Sequence, residues 1–295
     1  GSGMKIVSDL SLTGRPIRRA SMVPRLVLDF TTGALPDGVS FTRAGSATYF
    51  DAAGVLQTAL ADVPRFDHDP VAGALRGLLV EPSATNTQVQ SNGGNWSPLA
   101  VVVTGGVLVA PSGEQTAASF IETTDAGSHY AYANPVLNVA ATRTFSAFVK
   151  AAEKKAAYIH IGASAMSQGV FATFDLEAGA VLTPPTYKSG TYTLVGGGIE
   201  PAGGGWYRVW ISAVCPASAH VGYLATLSAA GALSYVGDGV SGYQVFGVQM
   251  ETGATPTSYI PTTTAAATRA ADQPSITANL GTRDGRVTTE AGVQV

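Results

Sequence analysis

From Arg25 onward, short apolar runs alternate with turn residues. Leu26-Val27-Leu28-Asp29-Phe30 is followed at once by Thr-Thr-Gly-Ala-Leu-Pro-Asp-Gly, and punctuation by Gly, Pro, Asn and Asp recurs down the chain. Runs of this length between such residues read as strands. The spacing predicts strands over 144–151, 156–163, 169–176, 205–214, 220–228 and 242–251. Within 144–150, Phe145, Ala147 and Val149 share one face while Ser146, Phe148 and Lys150 share the other. In 206–213, Trp206, Arg208, Trp210 and Ser212 oppose Tyr207, Val209, Ile211 and Ala213. No long segment carries apolar residues at helical spacing, and the Ala-rich stretch 264–271 adjoins Thr and Pro that weaken helix formation. The expected fold is all-β: an antiparallel β-sandwich of jelly-roll type over 26–271, preceded by a short arm (1–25) and followed by a Thr-rich tail (272–295).

Composition narrows the partners. Hydrophobic residues are 45% of the 295, enough for a sizeable core, and 35 glycines suit the many turns. Only 13% are charged, and 17 Lys+Arg against 20 Asp+Glu leave a formal net charge of -3. No global field attracts nucleic acid or anionic lipid. Positive charge gathers at the front, where Lys5, Arg15, Arg18, Arg19 and Arg25 face only Asp9. Two readings stay open for this arm: a solvated tail, or a peptide that orders on docking to a larger assembly. Gly1-Ser2-Gly3 before Met4 reads as a tag remnant, no secretory signal follows it, and no apolar run approaches the ~20 residues of a membrane span. The expectation is a soluble protein made in the cytoplasm without a signal peptide.

Few residues have the spacing of catalytic or metal-binding groups. Cys215 is the one cysteine, and His68, His129, His160 and His220 show no zinc-type spacing. The Gly-Gly-Gly at 196–198 is neither a dinucleotide fingerprint nor a Walker loop, and no Gly-x-Ser-x-Gly elbow occurs. A sandwich glycosidase needs two carboxylates facing each other across a groove, and the strand pattern Glu-x-Asp-x-x-Glu is missing. Asp67-His68-Asp69 brings two carboxylates together in a Pro-bounded turn, where turn-making competes with calcium binding and, more distantly, with an acid/base pair. Asp125 and Asp238 sit in Gly-containing turns and read as turn-makers. The expectation is a non-enzyme without cofactor, calcium being the one alternative.

Several blocks carry a resemblance. They are Phe41-Thr42-Arg43-Ala44-Gly-Ser-Ala-Thr-Tyr49-Phe50-Asp51, Pro64-Arg65-Phe66-Asp67-His68-Asp69-Pro70, Gly77-Leu-Leu-Val-Glu81-Pro-Ser-Ala-Thr-Asn86, Thr144-Phe-Ser-Ala-Phe-Val-Lys150, Gly205-Trp-Tyr-Arg208-Val, and Gly247-Val-Gln249-Met-Glu251 running on to Ser258-Tyr259-Ile-Pro-Thr262. Together they resemble phage and prophage tail-fibre or spike proteins with a concanavalin-like, carbohydrate-binding-module-like domain, and are similar to gene transfer agent head spikes. The resemblance implies a lectin-type sandwich on the surface of a virion or virus-like particle, attaching it to host cell-surface or capsular polysaccharide. It implies other particle proteins as partners of the arm, and it supplies no ligand-contact positions. A homo-oligomer is compatible with it. A structural adaptor that binds another particle protein is the alternative, and a polysaccharide depolymerase the more distant one.

Sugar C–H faces stack on Trp and Tyr while hydroxyls take nearby hydrogen bonds, so aromatic residues are the candidates for such a site. Trp206 and Tyr259 lie in the resembling blocks and read as core, with Arg208 satisfying backbone carbonyls or a carboxylate. Trp96 follows the polar stretch Ser91-Asn92-Gly93-Gly94-Asn95 and divides equally between core plug and sugar platform. Tyr130 and Tyr132 alternate onto one face, as do Tyr158 and His160 on another strand. Side by side these rings form either a glycan platform or ordinary cross-strand packing.

Overall fold

The computed structural model describes residues 5–8, 26–93, 96–163 and 165–276. Two six-stranded antiparallel sheets dominate it. In chain order their strands are β1 (Trp96–Leu99), β2 (Val101–Leu108), β3 (Ala117–Glu122), β4 (Tyr130–Ala133), β5 (Ala141–Ala151), β6 (Ala156–Ala163), β7 (Gln168–Asp175), β8 (Ala180–Ser189), β9 (Thr193–Pro201), β10 (Trp206–Cys215), β11 (Val221–Thr226) and β12 (Gly242–Thr252). The first sheet runs β2-β3-β12-β5-β10-β9 and the second β8-β7-β6-β11-β4-β1. The links β2–β3, β6–β7, β7–β8 and β9–β10 stay within a sheet; the others cross between sheets. All six predicted strands are present within three residues of their expected ends, and no helix occurs among the described residues.

Alternation decides which side chains meet between the sheets. Phe145, Ala147 and Val149 of β5 and Val209, Ile211 and Ala213 of β10 face Ile159 and Ile161 of β6, Val170, Ala172 and Phe174 of β7, and Leu224 of β11, all without solvent exposure. Each large side chain among them stabilises the fold by about 1.5–3 kcal/mol on burial. Close packing leaves Gly222 of β11 no room for a side chain: a Cβ there would lie 2.3 Å from the Phe145 ring.

The opposite face of the first sheet is also covered. In β12 the register with β5 slips between Ser146 and Phe148, at Gly247, whose φ of 60° is costly for other residues. Because of this bulge, Tyr243 and Val245 before it and Val248 and Met250 after it all face the sandwich core, while Phe246 turns outward. There it joins Phe148, Trp206, Tyr259 and Leu56 in a second core. Tyr259 packs 5.2 Å from Phe246 and 6.2 Å from Phe148, measured between ring centroids. Arg208 lies over the Phe148 ring and donates to the Thr257 carbonyl (2.6 Å) and to Ser146 Oγ (3.0 Å).

The covering layer is built from short antiparallel pairs: Val39–Thr42 with Gln273–Ile276, Ala47–Phe50 with Leu56–Ala59, Phe66–His68 with Leu75–Leu78, and Ala84–Asn86 with Ala267–Arg269. A buried ionic network locks it. Arg43 pairs with Asp272 at 3.0 Å, Arg65 bridges Asp272 and Glu81 (2.8 Å to Glu81), and Arg269 reaches Glu81 at 3.6 Å. Burial by itself would push the Glu81 carboxyl up, but Arg269, Ser258 and Arg65 outweigh it and hold the group below the usual range. Asn86 Nδ2 donates to the carbonyls of Val248 (3.1 Å) and Ile260 (2.9 Å), joining layer to sheet.

Asp272 and the strand Gln273–Ile276 belong to the covering layer, beyond the expected domain end at 271; residues 277–295 of the tail lie outside the described residues. Composition around 272 could not reveal a partner 229 positions away. Of the basic arm, Lys5–Ser8 pairs with Leu26–Asp29, while Arg15, Arg18, Arg19 and Arg25 lie outside the described residues.

Candidate functional site

The outer face of the second sheet gathers four of the five aromatic candidates. Inward-facing Ala131, Ile159 and Leu224 leave Tyr130, Tyr132, Tyr158, His160 and Tyr223 pointing outward. Register then aligns them. Tyr132 pairs with Tyr223, Tyr223 with His160, and His160 with Phe171, placing four rings in one row across β4, β11, β6 and β7. A second row holds Tyr130, Ala225 and Tyr158. Ring centroids lie 5.8 Å apart for Tyr132 and Tyr223, 5.4 Å for Tyr223 and His160, and 5.3 Å for Tyr158 and Phe171. These separations match favourable aromatic pairing.

Much of the cluster is closed over. Met166, Val221 and Leu227 pack on it, leaving Tyr130 7%, Tyr158 4%, Tyr223 5% and His160 0% exposed. Half-buried Tyr132 and Phe171 form its open margins. Lys188 Nζ sits 5.9 Å above the Phe171 ring. Tyr132, Phe171 and the Lys188 ammonium are thus the parts of the cluster open to a ligand, with the other rings as their support.

Hydrogen bonding assigns the His160 tautomer. Nε2 lies 2.8 Å from the Gln168 carbonyl and must donate; Nδ1 lies 3.2 Å from the Tyr158 hydroxyl and accepts. This satisfied neutral imidazole is buried, and burial lowers its pKa to about 4. Burial likewise pushes the Tyr158 phenol up and that of Tyr223 up to about 12. The buried centre of the cluster is therefore uncharged near neutral pH, with Lys188 over Phe171 at its rim.

Trp96 is not part of the cluster. It pairs in register with inward-facing Ala133, and its ring meets Phe120 edge-on at 6.3 Å against the sandwich core. Of its two open roles, this geometry is that of a core plug. Tyr223 and Phe171 complete the row and were missed from sequence. Each lies in a period-two strand, but their alignment with His160 depends on which strands are neighbours.

The other polar candidates resolve into local structure. Asp67 Oδ1 accepts from the Phe50 amide, Asp69 Oδ1 from the amides of Val71 and Ala72, and Arg76 reaches both carboxylates, at 3.5 and 3.1 Å. Asp238 accepts from the amides of Val240 and Ser241, and Asp125 from Thr123 Oγ1. Among the described residues no group of three or more His, Cys, Asp or Glu side chains is placed to hold a metal ion. Cys215 is 1% exposed, and burial pushes its thiol up to about 12, far from a reactive thiolate. No protein-family model matches the chain, and no curated protein matches it.

Proposed function

We propose that this protein is a non-catalytic attachment component of a phage-like particle, a head spike or tail fibre, that binds host cell-surface or capsular polysaccharide. The observation carrying this reading is the row of four rings across the second sheet, ending at half-buried Tyr132 and Phe171. Partly exposed aromatic rings beside an ammonium suit shallow contact with sugar C–H and hydroxyl groups. A weak site suffices when many copies on one particle raise the effective concentration. The crossovers between sheets are, in this reading, those of a lectin-type jelly roll.

A second reading, a structural adaptor or homo-oligomer, draws on exposed apolar side chains at one side of the sandwich. Val181, Leu182 and Tyr187 of edge strand β8 and Val195 of edge strand β9 are 42–54% exposed, and such edges favour protein partners. Binding of the purified protein to capsule-positive cells and their capsule-negative mutants separates the two. Binding that requires the capsule supports attachment to polysaccharide; equal binding to capsule-free cells overturns it.

A further inference from the structure

A cleft of about 230 Å³ opens on the far side of the molecule from the aromatic row, between the 47–59 hairpin, the segment 256–259 and the end of β9. Its size falls below the roughly 300–1,000 Å³ of pockets for drug-sized ligands, so it suits a single ring. Phe50 and Leu56 line it with apolar surface, and Phe148 and Arg208 lie at its buried side.

Most polar groups in the cleft are already committed. Glu81 accepts from Ser258 and pairs with Arg65, and Asp67 accepts from the Phe50 amide and pairs with Arg76. Two are not. Arg208 is 8% exposed, and its Nε–H has no acceptor among the described residues, although both Nη atoms are bonded. Glu200, its register partner on β9, is exposed and has no ion-pair partner among the described residues. Arg208 Nε is shut off from solvent, so the exposed Glu200 carboxylate, beside the apolar wall of Phe50 and Leu56, is the group left to meet a ligand. Three carboxylates (Asp67, Glu81, Glu200) against two guanidinium groups (Arg76, Arg208) disfavour an anion.

We propose that this cleft receives one uncharged sugar ring of the bound polysaccharide, with Glu200 accepting from its hydroxyls and Phe50 and Leu56 against its C–H face. The inference rests on the attachment reading above and moves the specific contact from the aromatic row to the cleft.

Amide chemical shifts of the full chain titrated with glucose, galactose, mannose and glucuronate test it, together with binding of purified bacterial capsular polysaccharide. The expected result is shifts at Tyr49, Phe50, Glu200 and Thr257 with a neutral hexose. Glu200→Ala should weaken binding roughly tenfold, about one charged hydrogen bond. Shifts confined to Tyr132 and Phe171, or polysaccharide binding indifferent to Glu200→Ala, overturn the cleft assignment and leave the attachment reading standing. Tighter binding of glucuronate overturns the uncharged ligand. Absence of any shift together with absence of polysaccharide binding overturns both. The titration of the unsubstituted chain decides the case even if Glu200→Ala fails to fold.

Discussion

The carboxylate of Glu81 accepts both the amide (2.7 Å) and the hydroxyl (2.6 Å) of Ser258, which lies 177 positions further along the chain. Two segments distant in sequence are thereby joined over the first sheet. Glu81 also compensates Arg65, whose side chain is fully buried, and Arg269 beside it.

Removing that carboxylate leaves buried guanidinium charge short of a partner. Glu81→Ala should destabilise the protein by about 3–5 kcal/mol, the cost of breaking one side of a buried pair. Urea denaturation measures this, and a loss under about 1 kcal/mol would show that the network contributes little to holding the layer down.

Acid should act in two windows. The His160 pKa is about 4 in the folded protein against 6.5 for an ordinary imidazole, so between those values the unfolded chain binds a proton that the folded one does not. Stability is then full above pH 6.5 and falls as pH drops toward 4, by about 3 kcal/mol. His220, lowered by burial as well, adds to the same window. Glu81 contributes below it: its depressed pKa stabilises above the ordinary carboxylate value of 4.5, a gain lost as pH falls through the folded value. Thermal melts from pH 7 to 4 check the first window; His160→Gln should flatten the slope there, and an unchanged slope would remove His160 as its source.

Gly222 and Phe145 make a steric pair across the sandwich. Gly222→Ala should cost about 1–3 kcal/mol by overpacking against the ring, and Phe145→Leu in the same chain should recover part of it. Additive losses in a double-mutant cycle would contradict the contact.

Within the aromatic face, binding and folding should separate by burial. Tyr158→Ala empties a site 4% exposed and should lower stability by about 3–5 kcal/mol, as for other large buried aromatics. Tyr132→Ala, at the open margin, should leave the melting temperature within a few degrees of the parent. Capsule-cell binding of the two variants, with melts as control, reads this out; a large loss of stability on Tyr132→Ala would mean that the margin is as structural as the centre.

Period-two alternation is a local property, and it carried the fold class and the facing of individual strands. Phe145, Ala147 and Val149 could be set against Ser146 and Phe148, and Tyr130 beside Tyr132 on one face, because successive side chains of any strand point to opposite sides. Neighbourhood is not local. His160 meets Tyr223 and Phe171 because β6 lies between β7 and β11, an arrangement with no signature in the residues of β6. Trp96 turns to the core because its strand is an edge paired with inward-facing Ala133. The covering layer depends on contacts such as Arg43 with Asp272 and Glu81 with Ser258, whose partners come from opposite ends of the described chain. Burial has the same origin: Tyr158 and Tyr132 look alike as residues, yet the first lies within the cluster that holds Met166 and Leu227 and the second at its margin. Pairing partners, and the solvent access that follows from them, were set by long-range packing that spacing along the chain does not encode.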